Sequence, residues 1–328
     1  MRAVIYERTG PAAEVLRLVE LPEPQPGPGE VRVKISCSGV NPSDVKGRAG
    51  RRDRPMPFAR IVPHSDGAGV IDRVGDGVHA SRIGERVWLW NAAWGRPDGT
   101  AAEYVSLPSA QAVTLPAGID MSVGACLGIP ALTALHAVSI DGGVNGRTVL
   151  VAGGAGAVGH YAIQFARLKG ARTVIASVSN AQKGALASEA GADLVVDYRV
   201  GDLAAAVEAA TEGVGADRII EVDLAANIGL DLTAVRQDGD IVVYGSGAPE
   251  IPVPFYPAIV KNVRMHFFIV YNLSGDDRAR AVATLETLLE QNALIHNVAA
   301  RLPLERIAEA HEMVETGRAV GNVVLDLG

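Results

Sequence analysis

The 328-residue sequence is poor in cysteine and aromatic residues and contains no long apolar segment. Only Cys37 and Cys126 occur, without a Cys-x-x-Cys pair, which argues against a disulfide framework and a cysteine-rich zinc site. The formal net charge of -7 would repel a phosphate backbone, so nucleic acid is not expected as a partner. Neither a cleavable apolar leader nor a run of membrane-spanning length is present, and we therefore expect a soluble, cytoplasmic protein without a membrane partner.

The spacing of apolar residues differs between two parts of the chain. Up to about residue 120, short β-rich runs between glycines and prolines predict an antiparallel, partly barrel-like domain. These runs are RAVIYE, LRLVEL, VRVKIS, AGVIDRVG, ERVWLW and AEYVSL. From about residue 125, six apolar runs separated by helix-length segments predict a parallel, doubly wound sheet. They are TVLVAG, TVIASV, DLVVDY, DRIIEV, DIVVYG and RMHFFIV, followed by two helical segments and a closing strand, NVVLDL.

A glycine-rich turn follows the first of these six runs, in the stretch VLVAGGAGAVGHYA. Gly154, Gly156 and Gly159 form the pattern G-x-G-x-x-G between a strand and a helix, as in dinucleotide-binding βαβ units. The first glycine permits a tight turn, the second lets the backbone approach a pyrophosphate, and the third lets helix and strand pack closely. The alternative is a turn that needs glycine for packing alone. The residues assigned to this site are Gly154, Ala155, Gly156, Ala157, Val158 and Gly159.

The residues after the turn favour NADPH over NADH. An NAD site carries an acidic residue about 20 positions beyond the turn, yet no acid occurs from Gly142 to Ser188. Hydroxyl and cationic side chains could instead surround a 2′-phosphate, which charged donors bind strongly. The alternative for Lys183 is a solvated residue of a surface helix. The residues assigned to the phosphate are Ser177, Ser179, Lys183 and Tyr198, with Arg199 next to them.

Seven motifs in order resemble those of the zeta-crystallin-like NADPH:quinone oxidoreductases, the zinc-independent branch of the medium-chain dehydrogenase/reductase superfamily. They are SGVNPSD (38–44), HSDGAGVI (64–71), GTAAEYV (99–105), ACLGIPALTALHAV (125–138), GGAGAVG (153–159), VYGSG (243–247) and PLERIAEAHEMVETGRAVGNVVL (303–325). The resemblance implies an α/β fold with two domains. Residues 1–124 and 267–328 would form a GroES-like, β-rich catalytic domain. Residues 125–266 would form a Rossmann domain with a doubly wound, parallel six-stranded sheet.

The resemblance also implies a metal-free hydride transfer to quinones or other α,β-unsaturated carbonyl compounds. Zinc-dependent relatives place cysteine where Asn41 stands and histidine where Ser65 stands, so no metal site is expected. Asn41 would lie near the nicotinamide and the acceptor, and Asp44 would order that loop; the alternative for both is a simple turn. His64 is predicted to be a hydrogen-bonded structural residue. The positions that match the nicotinamide half are Thr133, Asn227, Tyr244, Gly245, Ser246, Gly247, Phe268, Ile269 and Val270.

Two segments depart from the family pattern. Lys46 stands where relatives carry a substrate-reaching tyrosine, which leaves water as the proton source. The basic stretch 46–60 predicts a solvated loop, with attraction of an anionic ligand, or RNA contact, as the alternatives. Trp88, Trp90 and Trp94 would either fill the space between domains or form an apolar wall for a flat substrate.

Two alternatives to quinone reduction stay open at this point. The same fold supports reduction of enoyl thioesters or alkenals. A protein that binds NADPH without useful catalysis, structural or RNA-regulatory, is the other alternative, as crystallin-type relatives illustrate. The family also implies a homodimer or homotetramer.

Overall fold

The structure is a computed structural model that describes residues 1–51 and 55–328. It divides into two compact units, the first formed by residues 1–129 and 282–328 and the second by residues 130–281. Residues 125–129, predicted for the Rossmann domain, thus belong to the first unit, and residues 267–281, predicted for the catalytic domain, to the second. Among the described residues, no helix combines the length and hydropathy that crossing a membrane requires.

The secondary structure agrees with the predicted β-rich first part and the predicted alternation of strands and helices after it. The first part of the chain forms β1 (Arg2–Ile5), α1 (Ala12–Val15), β2 (Arg17–Glu20), β3 (Glu30–Val40), α2 (Pro42–Arg48), β4 (Asp66–Val74), β5 (Arg86–Leu89), β6 (Tyr104–Pro108), β7 (Ala112–Thr114) and α3 (Met121–Gly124). The middle forms α4 (Leu132–Ser139), β8 (Thr148–Val151), α5 (Ala157–Leu168), β9 (Thr173–Val178), α6 (Ala181–Glu189), β10 (Leu194–Asp197), α7 (Leu203–Ala210), β11 (Ala216–Glu221), α8 (Leu224–Ala234), β12 (Val235–Val243), α9 (Phe255–Val260) and β13 (Arg264–Phe267). The last part forms α10 (Gly275–Glu290), β14 (Val298–Pro303), α11 (Ile307–Glu315) and β15 (Asn322–Asp326).

The first unit is built on a seven-stranded sheet in the order β14-β15-β3-β4-β5-β7, with β6 also paired to β3. The closing strand β15 runs antiparallel to β3, with Val324 opposite Gly39. Packing requires glycine at position 39, because a Cβ atom there would lie 2.0 Å from the carbonyl oxygen of Ala125. The strand pairing therefore joins both ends of the chain in one core. The sequence analysis missed the strand β14 because Ala299, Ala300 and Pro303 are residue types that strands seldom contain.

The second unit contains a parallel sheet in the order β10-β9-β8-β11-β12-β13. Its central strand β8 is buried along its whole length, as expected for a strand covered by helices on both faces. The order reverses at β8, because the chain first adds β9 and β10 on one side and then β11 to β13 on the other. The predicted α/β class with a doubly wound six-stranded sheet is confirmed.

A buried ion pair holds one end of this second sheet. Arg218 on β11 and Asp240 on β12 are both inaccessible to solvent, and the guanidinium lies 3.0 Å from the carboxylate. The same guanidinium donates to the carbonyl oxygens of Val138 and Ile140 at the end of α4, at 3.2 and 2.8 Å. Arg218 thereby compensates a buried charge and caps a helix C-terminus at once.

The basic stretch 46–60 is not simply a solvated loop, which corrects the sequence-based expectation. Arg48 is buried and lies 2.8 Å from Glu315, which also pairs with Arg51 at 2.7 Å. Arg60 pairs with Asp98 at 2.9 Å. Two carboxylates of the same unit therefore offset most of the positive charge of these three arginines. Arg52, Asp53 and Arg54 of this stretch lie outside the described residues.

The tryptophan cluster separates into one core residue and two peripheral ones. Trp88 lies on β5 opposite Ala68 and Val113 and is completely buried. Trp90 and Trp94 are half-buried. Trp88 thus serves the core of the first unit, and only the other two could contact a ligand.

Candidate active site

The predicted coenzyme residues collect at one edge of the parallel sheet. The glycine turn follows β8, Ser179 and Lys183 follow β9, and Tyr198 follows β10. Asn227 comes just after β11, residues 244–247 follow β12, and residues 268–270 follow β13. Because parallel strands end at the same edge of a sheet, these segments lie at its carboxyl edge, around the reversal of strand order. Thr133 is the exception, since it lies on α4.

Packing requires glycine at two positions of the glycine turn and allows a side chain at the third. A Cβ atom on Gly154 would lie 2.8 Å from the Ala176 Cβ, and one on Gly159 would lie 2.3 Å from the carbonyl oxygen of Gly153. Gly156 is exposed, and its nearest neighbour would be the same oxygen at 3.2 Å. Its bare Cα therefore leaves space on the outer side of the turn. No side chain caps the N-terminus of α5 within the described residues, so its N–H groups face that space.

The end of β9 presents hydroxyl groups and one ammonium group. The Lys183 Nζ donates to the Ser179 Oγ at 2.9 Å, and the Ser177 Oγ accepts from the backbone N–H of Gly153 at 3.2 Å. Asn180 caps α6 by accepting from the backbone N–H of Lys183 at 2.9 Å. The structure therefore brings Ser177, Ser179 and Lys183 together beside the glycine turn. Tyr198 stands half exposed at the end of the neighbouring strand β10.

The other half of the edge is shaped by β11, β12 and β13. Asn227 on α8 donates its Nδ2 to the Glu221 Oε1 at 3.0 Å. The backbone N–H of Gly247 donates to the Asp223 carboxylate at 2.6 Å, and a Cβ on Gly245 would lie 2.2 Å from the carbonyl oxygen of Val222. The turn after β12 is thus held against the turn after β11.

Residues 268–270 pack against α4 within the second unit. The ring of Phe268 lies 4.7 Å from the ring of His136, which is one turn of α4 beyond Thr133. Burial lowers the pKa of His136, so the imidazole is neutral at pH 7. Ile269 is partly exposed, whereas Val270 and Thr133 are buried. Thr133 therefore lies on the helix that supports the segment after β13.

In the first unit, Asn41 and Asp44 lie at the start of α2. The Asp44 carboxylate accepts the backbone N–H of Asn41 at 2.9 Å, and Pro42 occupies the first helical position. Asp44 thus holds the backbone at the start of α2. The Asn41 Nδ2 donates to the Asp66 Oδ2 at 3.0 Å, an oxygen that also accepts the backbone N–H of Ile129 at 3.0 Å. Burial raises the pKa of Asp66 well above its usual range.

His64 belongs to a directional chain of buried hydrogen bonds. The Thr100 hydroxyl donates to the carbonyl oxygen of Asp66, so the Ser38 hydroxyl must donate to Thr100, at 2.8 Å. Ser38 then accepts from the Nδ1 of His64 at 2.8 Å, which leaves the His64 Nε2 to accept from the Nε2 of His311 at 2.9 Å. Burial lowers the pKa of His64 to about 3 and also lowers that of His311. His64 is therefore a neutral, hydrogen-bonded structural residue.

One group of potential metal ligands occurs in the second unit. Side-chain ligand atoms of Asp141, Asp240 and His266 lie within 4.8 Å of one another. The Asp240 carboxylate already lies 2.6–3.0 Å from three guanidinium groups, those of Arg147, Arg218 and Arg264. Three positive charges around the central ligand oppose a cation, and the group is an ion-pair network.

Three acidic residues at these sites escaped the sequence analysis. Asp66 lies within the motif HSDGAGVI, Glu221 ends an apolar strand, and Asp231 stands four positions after Asn227 on the same helix. A charged residue at the carboxyl end of a buried strand was the available signal for Glu221. The contacts of Asp66 and Asp231 depend on tertiary packing, which residue spacing does not encode.

Comparison with known proteins agrees with this two-unit architecture. Residues 27–117 match the family of the alcohol dehydrogenase GroES-like domain, and residues 157–287 match the zinc-binding dehydrogenase family. Human quinone oxidoreductase is 30% identical over 329 aligned positions, which cover 99% of this chain and 97% of the human protein. The chain belongs to the quinone oxidoreductase family. The predicted resemblance is confirmed, and the chain is an oxidoreductase of the medium-chain dehydrogenase/reductase superfamily that depends on NADH or NADPH.

Solved structures of quinone oxidoreductase relatives and their neighbours share the whole fold. A mycobacterial protein complexed with NADPH superposes with a TM-score of 0.88 at 30% identity, and all of both chains are covered. A protein described as an NAD-dependent alcohol dehydrogenase superposes with a TM-score of 0.90, also at 30% identity and with full coverage. Fold similarity thus extends to relatives with either nicotinamide coenzyme.

The turn geometry predicts opposite tolerances for two glycines. Gly159→Ala forces a Cβ against the backbone of Gly153 and should reduce the free energy of unfolding by about 1–3 kcal/mol. Gly156→Ala adds a methyl group on the exposed side and should change it by less than about 1 kcal/mol. Urea denaturation of the coenzyme-free protein measures both values. Equal losses in the two variants would contradict the conclusion that packing constrains Gly156 less than Gly159.

Proposed function

We propose that the chain uses NADPH to reduce quinones or other α,β-unsaturated carbonyl compounds, without a catalytic metal ion. The choice of NADPH rests on the side chains at the end of β9. There, Lys183 donates to Ser179 at 2.9 Å, and the segment from residue 142 to 188 contains no acid. A 2′-phosphate would gain an ammonium and hydroxyl donors at this place, whereas a 2′-hydroxyl would find no carboxylate acceptor.

The second unit offers a fitting place for the rest of such a coenzyme. The exposed Cα of Gly156 and the uncapped N-terminus of α5 suit a pyrophosphate, which needs close backbone approach and N–H donors. Tyr198 would face the adenosine end. Residues assigned to the nicotinamide half are Thr133, Asn227, Tyr244, Gly245, Ser246, Gly247, Phe268, Ile269 and Val270.

The first unit would supply the residues near the acceptor. When bound, the reduced nicotinamide supplies a hydride, and water supplies the accompanying proton. Asn41 would contact the acceptor, with its amide fixed by Asp66 and its backbone by Asp44. Asn41 and Ser65 are poor zinc ligands beside thiolate and imidazole, which supports metal-free reduction. Conjugated carbonyl acceptors suit such a site because they delocalise the charge that develops during reduction.

The choice of acceptor is tested by steady-state turnover with NADPH. We expect reduction of 1,4-benzoquinone and 9,10-phenanthrenequinone, unaffected by prior treatment with a zinc chelator because no step requires the ion. Acrolein and crotonyl-CoA serve as the comparison acceptors. Turnover of the thioester alone would replace this proposal by an enoyl-thioester reductase. Tight NADPH binding without turnover of any acceptor would indicate a non-catalytic protein.

Coenzyme preference is tested by Lys183→Ala. Removing the ammonium should weaken NADPH binding by about 1–3 kcal/mol and leave NADH binding nearly unchanged, because only NADPH carries the 2′-phosphate. Titration calorimetry with both coenzymes gives the two affinities. Lys169→Ala, at an exposed lysine that ends α5, is the matched control and should affect neither coenzyme. Equal losses for both coenzymes in Lys183→Ala would reject the phosphate site.

We also propose that two copies associate through the edge formed by β13 and α9. Phe255 and Tyr256 are 74% and 75% exposed, and Ile259, Val260 and Phe267 are exposed beside them. β13 is the last strand of its sheet and offers unpaired backbone groups on its outer side. A second copy related by two-fold symmetry would pair these groups and cover the apolar side chains.

Light scattering after gel filtration tests this association. Tyr256→Glu should lower the molar mass towards that of one chain, because a carboxylate would be buried in the apolar contact. Ile83→Glu changes an exposed apolar residue of the first unit and should leave the mass unchanged. A wild-type protein that is already monomeric, or a Tyr256→Glu variant of undiminished mass, would contradict the proposed interface.

A further inference from the structure

Two acidic side chains of the second unit are buried against each other behind Asn227. Glu221 is the last residue of β11 and is 0% exposed, and Asp231 on α8 is 1% exposed. Their carboxyl groups are close enough for the charge of Glu221 to act on Asp231. Asn227 and Asp231 stand four positions apart and therefore share one face of α8, the face that meets the end of β11. The pair is thus built by a strand end and the helix that follows it.

The pair has no compensating positive charge. Glu221 Oε2 and Asp231 Oδ2 are buried, and neither receives a donor from any other group in the described part of the chain. The titratable groups that face Glu221 are Asp223 in the turn and Tyr244 after β12, and neither is cationic. Two carboxylates in contact cannot both stay ionised in such surroundings. Burial, together with the charge of Glu221, raises the pKa of Asp231 to about 8, and burial also raises that of Glu221.

The outer oxygen of Glu221 determines how Asn227 is oriented. Glu221 Oε1 accepts the backbone N–H of Asp223 and the Asn227 Nδ2, the latter at 3.0 Å. A carboxylate oxygen only accepts here, so the amide must turn its Nδ2 inward. The Oδ1 of this half-buried asparagine is then presented on the opposite side as an acceptor.

We propose that Glu221 and Asp231 share one proton and act as positioning residues, which hold the Asn227 Oδ1 ready to accept a hydrogen bond from the nicotinamide half of the coenzyme. This inference rests on the proposed function for the ligand of Asn227. The shared proton itself is a property of the coenzyme-free protein. Asp231 donates the proton to Glu221, and the single remaining negative charge is stabilised by the two donors on Oε1.

The shared proton makes coenzyme affinity depend on pH in a defined direction. Folding raises the pKa of the Asp231 carboxyl group to about 8. The protonated group stabilises the folded state fully at a pH below its pKa in the unfolded chain. This stabilisation is lost as the pH rises through the pKa of the folded state. Above that pH, two buried carboxylates repel each other, and this repulsion displaces Glu221 from its place beside Asn227. NADPH binding should therefore weaken, by up to about tenfold for each pH unit.

Asp231→Asn tests the shared proton, because the asparagine amide supplies a permanent donor to Glu221. NADPH dissociation constants are measured by calorimetry from about pH 6 to about pH 9.5. The wild type should lose about tenfold in affinity across the alkaline part of this range, whereas Asp231→Asn should change by less than about twofold. Asp202→Asn, at an exposed helix cap elsewhere in the unit, is the matched control and should follow the wild type. An alkaline loss of the same size in Asp231→Asn would overturn the inference.

Two further variants separate positioning from general stability. Glu221→Gln retains an acceptor for Asn227 and donates to an ionised Asp231, so its affinity should match the wild type at neutral pH and stay flat above. Asn227→Ala should bind NADPH weakly at every pH, without the alkaline decline, because the acceptor itself is gone. A persisting decline in Asn227→Ala would show that the pair does not act through this asparagine.

Infrared spectroscopy of the coenzyme-free protein provides a readout independent of binding. The carbonyl band of a protonated carboxylic acid should contain a component at neutral pH that disappears in both Asp231→Asn and Glu221→Gln. A contribution from Asp66 should persist in both variants, because its surroundings are unchanged. Absence of the component would overturn the shared proton. Failure of the wild type to bind NADPH at any pH would instead reject the proposed function and leave the infrared result to decide on the pair.

Discussion

The close approach of helix α5 to the turn after β8 is the constraint on which the coenzyme edge depends. The backbone at Gly159 passes so near that of Gly153 that no Cβ atom fits between them. This contact directs the start of α5 at the carboxyl edge of the sheet, where four of the five other strand ends supply polar side chains. A side chain at Gly159 would tilt the helix and displace its N-terminal N–H groups from the place that a pyrophosphate would occupy. Packing thus demands glycine at position 159, and the proposed pyrophosphate contact would demand it at position 156.

The two units handle buried polar groups in the same way. In the first unit, Asp66 receives the Asn41 Nδ2; in the second, Glu221 receives the Asn227 Nδ2. Each carboxyl group is excluded from solvent and each fixes one orientation of an amide that is otherwise ambiguous. Such networks specify geometry only when every member has a partner. The shared proton between Glu221 and Asp231 meets that condition where no cation is available.

Sequence patterns predicted the architecture because its signals are local. Apolar runs that alternate with helices identified the six strands of the parallel sheet, and the glycine spacing identified the turn after the first of them. The strand β14 was missed, since alanine and proline, which strands seldom contain, fill half of its positions. Partners such as His64 and His311 are 247 positions apart, and Arg48 and Glu315 are 267 apart. From the composition of the stretch we expected its arginines to be solvated, whereas tertiary packing buries Arg48 beside Glu315. The coenzyme and acceptor residues themselves stay predictions until a ligand is bound.

Arg218 ties together three segments that are far apart in sequence. Its guanidinium joins β11 to Asp240 on β12 and to the last carbonyl oxygens of α4. None of these segments can separate from the others without leaving an uncompensated charge or bare carbonyl groups in the interior. Local fraying of α4 is therefore suppressed, and the amides at its C-terminal end should exchange with solvent only when the central strands open as a unit. One side chain thereby couples the end of a buried helix to the opening of the central strands.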